Sequence, residues 1–149
     1  MAGSKLKKVT GFLEKHGHEG GLFVLRVALG GMMAVGHGWP KLLKAFSPPP
    51  HVFPDPYGIG AELSLFLAIL GEVVAALGLM AGILPRLSAA ALAFVMGTAV
   101  FVVHASDPVF GKGGPSSEMA ALYGIGFLAL AMTGPGSWTL PNLMERMRK

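Results

Sequence analysis

Residues 61–84, AELSLFLAILGEVVAALGLMAGIL, are the stretch of sequence that decides the fold. Two of these residues carry a charge, Glu62 near the beginning of the stretch and Glu72 in its middle. A helix of about 20 predominantly apolar residues is long enough to cross the hydrocarbon core of a bilayer. The stretch therefore predicts a membrane-spanning helix that buries one carboxyl group.

Three further apolar segments accompany it, at residues 21–43, 87–105 and 117–134. The chain of 149 residues is 52% hydrophobic and 13% charged, whereas a soluble domain typically carries about 25% charged residues. The sequence therefore predicts an all-α fold, an integral membrane four-helix bundle in contact with the lipid bilayer. It contains no cysteine, which excludes disulfides, thiol redox relays and thiolate metal ligands.

The positive charges are unevenly distributed around the four segments, with eight Lys and Arg residues on one side of a four-span arrangement and three on the other. The larger group is Lys5, Lys7, Lys8, Lys15, Arg86, Arg146, Arg148 and Lys149, and the smaller is Lys41, Lys44 and Lys112. The positive-inside rule then predicts an inner (cytoplasmic) membrane protein with both termini in the cytoplasm. Charge in this pattern indicates membrane topology and no nucleic-acid partner.

The distribution of apolar and basic residues divides the chain into three regions. Residues 1–20 have apolar side chains at helical spacing among lysines, which predicts a cytoplasmic amphipathic segment on the membrane surface. Residues 21–136 are expected to form the four-helix transmembrane domain. Residues 137–149 are expected to form a basic cytoplasmic tail.

The loop between the first two segments, residues 45–60, contains five prolines and three aromatic residues. This composition favours a stiff, extended path with aromatic side chains at the membrane interface. Two interpretations are open: the loop caps the outer mouth of the bundle, or it is a rigid spacer.

The first helix carries small residues at a spacing of four, Gly30, Ala34 and Gly38. At 100° per residue, Arg26 and Lys41 project from the same face. Small residues allow two helices to approach closely in lipid. We therefore expect this face to point into the bundle.

Ionisable side chains inside the hydrocarbon cost at least a few kcal/mol each, so Arg26 and Glu72 need a reason to be there. An interhelical ion pair between them would offset the burial of both charges. Two roles are open for such a buried ion pair: a purely structural clamp, or a proton-accepting Glu72 tuned by Arg26.

Titratable side chains from several helices are expected to reach one level at the outer end of the bundle. The candidate ligand-binding residues are His37, Lys41, Glu62, His104 and Glu118. Histidines and carboxylates near a wet interface can bind a polar group or relay protons, and the alternative is that water simply solvates them there. No HxxH or HExxH spacing occurs on one helix, so no metal site is predicted.

Several short motifs occur in a fixed order along the spans. They are Leu25-Arg26-Val27-Ala28-Leu29-Gly30, His37-Gly38-Trp39-Pro40-Lys41-Leu42, Gly71-Glu72, Leu77-Gly78-Leu79 and Gly82-Ile83-Leu84-Pro85-Arg86, then His104, Glu118 and Gly134-Pro135-Gly136. In this order they resemble the DoxX family over residues 21–140. The sequence departs from the family pattern after Gly136 and in its long proline-rich first loop.

The resemblance implies a small four-helix membrane protein linked to quinone-coupled oxidation or to a membrane oxidoreductase complex. It points to a quinone-interacting subunit with no covalently bound cofactor, with quinone as the candidate ligand, and with membrane or soluble oxidoreductase subunits or a second copy of the chain as partners. Two other functions are open: a noncatalytic anchor or assembly subunit, and a component of small-solute or lipid transport. Whether the chain is itself an enzyme is left open.

Overall fold

The computed structural model describes residues 2–111 and 116–149, and within the first range it describes no side chains for residues 2–9 and 12–15. Lys112, used in the charge count above, lies outside the described residues, as do the lysine side chains of the N-terminal segment. The first helix, α1, covers residues 2–45. It consists of the α-helical part Ala2–Met33, a π-helical turn at Ala34–Gly38 and a second α-helical part, Trp39–Ala45.

Four more helices follow. Helix α2 is Ala61–Ala81 and helix α3 is Pro85–Val103; each contains one π-helical turn, at Leu70–Ala75 and Ala99–Val103. Helix α4 is Glu118–Thr133, and the short helix α5 is Leu140–Met147. No strand occurs in the described part of the chain, and the predicted all-helical membrane fold is confirmed.

Three of these helices contain a stretch long and apolar enough to cross a membrane: His16–Ala45, Ala61–Ala81 and Pro85–Val103. Helix α4 is apolar but has 16 residues, or about 24 Å at 1.5 Å per residue. Helix α1 continues without a turn from Ala2 into its apolar stretch. The predicted N-terminal segment is therefore joined to the first span as one helix.

A proline lies inside α1 without ending the helix. Pro40 has no N–H to donate, and its ring would clash with the carbonyl group four residues earlier in a regular α-helix. The π-helical turn ends at Gly38, two residues before Pro40, and the N–H of Trp39 donates to the carbonyl oxygen of Ala34, five residues back. Because this turn widens the helix locally, the chain continues through Pro40 to Ala45.

The small-residue face of α1 points into the bundle as predicted, and its two glycines pack against α2. A Cβ atom built on Gly30 would lie 2.7 Å from Cγ of Met80, and one built on Gly38 would lie 2.7 Å from the carbonyl oxygen of Glu72. The two glycines therefore hold the helices in direct backbone contact. They also fix the register of the two helices, because Gly38 on α1 lies directly beside Glu72 on α2.

The core lies mainly between α3 and α4, with contributions from α1 and α2. Its buried side chains are Met33, Ala76, Leu79, Ala89, Leu92, Met96, Tyr123, Phe127 and Leu130. Many other large apolar side chains point outward, including Phe66, Phe101 and Leu128. Such a surface suits contact with lipid chains.

The contact at Gly38 provides a stability test. We expect Gly38→Ala to lower the free energy of unfolding by about 1–3 kcal/mol, the usual cost of overpacking, because the new methyl group meets the backbone of Glu72. Gly36, in the same π-helical turn, has no atom within 4 Å of a built Cβ, so Gly36→Ala is the matched control. Thermal melting in detergent measures both, and equal melting temperatures would contradict the packing described here.

Candidate ligand cavity beneath the proline-rich loop

A cavity of about 370 Å³ lies between α1, α2 and α3, beneath the proline-rich loop. Most of its lining is apolar. Its walls are formed by Phe53, Pro54, Pro56, Tyr57, Ile59, Leu67, Ala68, Phe94, Val95, Ala99 and Val103, and its polar side chains are Lys41, Ser64, Glu72, Thr98 and His104. An apolar space with a few polar groups is the usual composition of a small-molecule site.

The loop lies over the cavity and is bonded to the helices around it. Tyr57 stacks on Phe94 with an angle of 9° between the rings, and its hydroxyl group is 2.7 Å from Oγ1 of Thr98. On the opposite side, Nζ of Lys44 donates to the carbonyl oxygen of Val52. Of the two interpretations of this loop, the structure therefore supports the cap.

Asp55 organises the end of the loop. Its carboxylate accepts hydrogen bonds from the backbone N–H groups of Ile59, at 3.0 Å, and Gly60, at 2.8 Å, and from Oγ of Ser64, at 2.9 Å. These bonds, with that from Gly60 the largest contribution, lower the pKa of Asp55. Ser64 belongs to the first turn of α2, so Asp55 ties the loop to the beginning of that helix.

The other end of the loop is held by His51. Its Nδ1 lies 2.5 Å from Oε2 of Glu62, and its backbone N–H donates to Oε1 of the same carboxylate at 2.9 Å. The hydrogen bond with Glu62 is the largest of the effects that raise the pKa of His51. Glu62 therefore holds His51 of the loop in place, and it is not among the residues that line the cavity.

The polar end of the cavity is an ion pair between Lys41 on α1 and Glu72 on α2. Glu72 lies within the π-helical turn of α2 and is 4% exposed. Nζ of Lys41 also lies 3.4 Å from the carbonyl oxygen of His37. Both members of the pair line the cavity, so a bound ligand would meet an ammonium group and a carboxylate side by side.

The predicted ion pair between Arg26 and Glu72 is wrong. Arg26 lies level with Gly82, where a built Cβ would be 2.5 Å from Nη1 of the arginine. Gly82 is ten residues beyond Glu72 on α2, a separation of about 15 Å. The register set by Gly38 brings Lys41 to Glu72 instead, and Arg26 donates to the carbonyl oxygen of Trp138.

Two of the five residues predicted to converge at the outer level line the cavity, Lys41 and His104. Nδ1 of His104 lies 2.7 Å from Oδ2 of Asp107. The ring of His37 instead packs edge-on against Tyr123, with 5.4 Å between the centroids. Glu118 begins α4 and, like Glu62, is not part of the lining.

The π-helical turns surround this cavity. Glu72 lies in the turn of α2, Ala99 and Val103 lie in that of α3, and Lys41 follows that of α1 by three residues. Turns of this kind are rare and occur frequently at functional sites.

Within the described residues, no group of three histidine, aspartate or glutamate side chains is placed to hold a metal ion.

Sequence reasoning did not predict the roles of Asp55, Tyr57, Phe94 and Thr98. The only signal available was the aromatic and proline content of the loop, which indicates a stiff cover but not its partners. Phe94 and Thr98 are one helical turn apart on α3, and nothing in an apolar helix distinguishes that face from the others.

The fold and this site define a small polytopic membrane protein with a cavity beneath a loop, beside an ion pair whose carboxylate is buried. The family model for DoxX matches residues 21–105, more than half of the chain. The chain therefore belongs to the DoxX family. No curated protein and no solved structure gives a significant match. The matched residues include Lys41, Glu72 and His104.

The His51–Glu62 contact predicts a pH-dependent stability. Because the pKa of His51 is raised above the ordinary histidine value of 6.5, its stabilisation is fully present below that value and is lost as the pH rises through the folded-state pKa. We expect Glu62→Gln to lower the melting temperature more at about pH 5.5 than at about pH 8.5. Glu145→Gln, which removes a carboxylate paired with Lys149, is the control. The prediction fails if the effect of Glu62→Gln is the same at both values.

Proposed function

We propose that the cavity beneath the loop binds the headgroup of a quinone, and that the protein is the quinone-interacting subunit of a membrane oxidoreductase system. The observation that carries the proposal is the Lys41–Glu72 ion pair at the polar end of an apolar, partly aromatic cavity. A quinone headgroup is a flat apolar ring with carbonyl oxygens. It suits a site that has ring stacking on one side and a strong hydrogen-bond donor on the other.

The chemistry of reduction gives each polar group a role. A quinone takes up two electrons and two protons to become a quinol. Lys41 donates a hydrogen bond to one carbonyl oxygen, and Glu72 and His104 are the groups at which protons can be exchanged. The chain has no cysteine, so we assign the electron supply to a redox-active partner subunit. The role of this chain is to hold the ring and deliver the protons.

The size and cover of the cavity support this assignment. Its volume of about 370 Å³ is at the lower end of the range for small-molecule sites and suits a single ring with its substituents. Tyr57 and Phe94 offer aromatic faces beside it. The carboxylate of the ion pair is buried, with Glu72 4% exposed, and burial of this kind strengthens electrostatic interactions with a ligand.

A double substitution separates ligand binding from a purely structural role of the ion pair. Lys41→Met combined with Glu72→Leu replaces the two charges with apolar groups of similar size, which often leaves stability unchanged. We expect this variant to fold and to lose at least about tenfold in affinity for a short-chain ubiquinone, measured by calorimetry in detergent. His37→Ala, which alters a neighbouring side chain outside the cavity lining, is the control and should retain wild-type affinity.

Three other results are decisive. If the wild-type protein binds no ubiquinone, or if the double variant binds it as well as the wild type, the quinone site is contradicted. The noncatalytic anchor or assembly subunit then becomes the preferred function. Binding of a non-quinone lipid or solute by the wild type in place of ubiquinone would instead favour transport.

We further propose an inner-membrane topology with both termini in the cytoplasm and the loop over the cavity on the opposite side. Because the chain has no cysteine, a single introduced cysteine can show on which side of the membrane its position lies. Val52 is 87% exposed in the loop and Met147 is 71% exposed near the C-terminus. We expect a membrane-impermeant maleimide to label Val52→Cys in intact cells or spheroplasts, and Met147→Cys only after permeabilisation. Labelling of Met147→Cys from outside is incompatible with this topology.

A further inference from the structure

A second cavity lies at the opposite end of the bundle from the proline-rich loop. It has a volume of about 550 Å³ and lies between α1, the end of α2 and the chain from Ser137 into α5. Two cationic side chains line it: Arg26 from α1 and Arg146 from α5. Among the described residues, no acidic side chain is part of its lining, and most of the other lining residues are apolar, including Phe23, Met80 and Leu143. A cavity with this lining favours a ligand that has an anionic group beside an apolar part.

Arg26 is the unusual member of this cavity. Its side chain is buried, with 1% of its surface exposed. Nη2 donates to the carbonyl oxygen of Trp138 at 2.5 Å, whereas Nε and Nη1 have no hydrogen-bond partner in the described part of the chain. A guanidinium group is always charged and offers five N–H donors. Leaving such donors unpaired in a buried place is costly.

No carboxylate of the described residues neutralises this charge. Glu72 pairs with Lys41, and Glu19, two helical turns before Arg26 on α1, accepts from the backbone N–H of Ser137 instead. Neighbouring residues hold the guanidinium group of Arg26 in place. Arg26 lies over the ring of Phe23, with 5.6 Å from Cζ to the centroid, and Nη1 packs against Gly82, where a built Cβ would lie 2.5 Å from it.

Arg146 and Trp138 place the cavity at the membrane surface. Helix α5 begins at the buried N-cap residue Thr139 and presents exposed Leu143 and Met147 together with basic side chains. A short helix of this composition lies in the interface between the hydrocarbon and the lipid headgroups. Trp138 is 45% exposed beside it, as expected for a tryptophan at that level. The cavity is therefore located where phosphate groups of lipids are abundant.

We propose that this cavity is a phosphate-binding site, in which the two free nitrogens of Arg26 and the guanidinium group of Arg146 hold the phosphate of a lipid headgroup or of a small soluble phosphate. Guanidinium groups match the geometry of phosphate oxygens and bind them through paired, charge-assisted hydrogen bonds. Arg26 is the fixed, buried part of the site. Arg146, exposed on α5, closes it from the surface.

The test uses the full-length protein in a zwitterionic detergent without phosphate. Dioctanoyl phosphatidylglycerol, inorganic phosphate and dioctanoylglycerol, which has the same chains but no phosphate, are titrated against the melting temperature. We expect dioctanoylglycerol to have no effect. A rise with phosphatidylglycerol alone identifies a lipid headgroup as the ligand, and a rise with both phosphate compounds identifies a site that also takes soluble phosphate. No rise with either would overturn the proposal.

A matched pair of variants shows whether the response comes from this cavity. Arg146→Gln removes a lining residue, and Arg148→Gln removes an exposed arginine of the same segment that is not part of the lining. We expect Arg146→Gln to weaken the apparent affinity about tenfold, as for the loss of a charge-assisted contact, and Arg148→Gln to leave it unchanged. Equal effects of the two substitutions would attribute the response to general surface charge and overturn the site.

Arg26 is deeply buried, so its substitution also changes stability and is not a sufficient test by itself. The NMR signal of Arg26 in the wild-type protein provides a second test. In 15N-arginine-labelled protein, the Nε–H resonance of Arg26 can be assigned as the one that disappears in Arg26→Lys. We expect this resonance to shift when the stabilising phosphate compound is added to the wild type. If it stays in place while the compound stabilises the protein, Arg26 is not a ligand and the proposed site is wrong.

Discussion

The backbone contact between Gly38 of α1 and Glu72 of α2 is the constraint on which the rest of this structure depends, and it is what allows Lys41 and Glu72 to form their ion pair. Two opposite charges inside an apolar bundle are tolerable only in direct contact, because removing one leaves the other buried and unpaired. The pair can form because Gly38 allows the backbone of α1 to touch that of α2 at Glu72. The same contact sets the register of the two helices and thereby the position of the polar end of the cavity beneath the proline-rich loop.

That register also separates the polar groups of the bundle into two levels. At one end, a paired lysine and carboxylate lie under a loop that is fixed by Tyr57 and Asp55. At the other, Arg26 has no carboxylate partner among the described residues and borders a second cavity near α5. A neutral ligand with carbonyl oxygens suits the first level, and a phosphate suits the second. The two sites therefore differ in chemistry because one helix contact decides which charge Glu72 meets.

Hydropathy and charge were sufficient to predict the all-helical membrane fold, since the cost of burying polar groups in lipid leaves few alternatives. They were also sufficient to select Arg26 and Glu72 as buried charges that require an explanation, and to include Lys41 and His104 among the five candidate ligand-binding residues. The partners could not be predicted, because depth along isolated helices does not give the offset between them. Gly38 was correctly placed at a helix contact, but its contact with Glu72, which excludes the pair with Arg26, is a property of the assembled bundle.

The most direct test of this account is an experimental structure of the protein with a bound short-chain ubiquinone. The account predicts the quinone ring in the cavity beside Tyr57 and Phe94, with one carbonyl oxygen within about 2.7–3.2 Å of Nζ of Lys41, the range of a hydrogen bond. A quinone bound elsewhere on the protein, with the Lys41–Glu72 pair intact and this cavity empty, would contradict it.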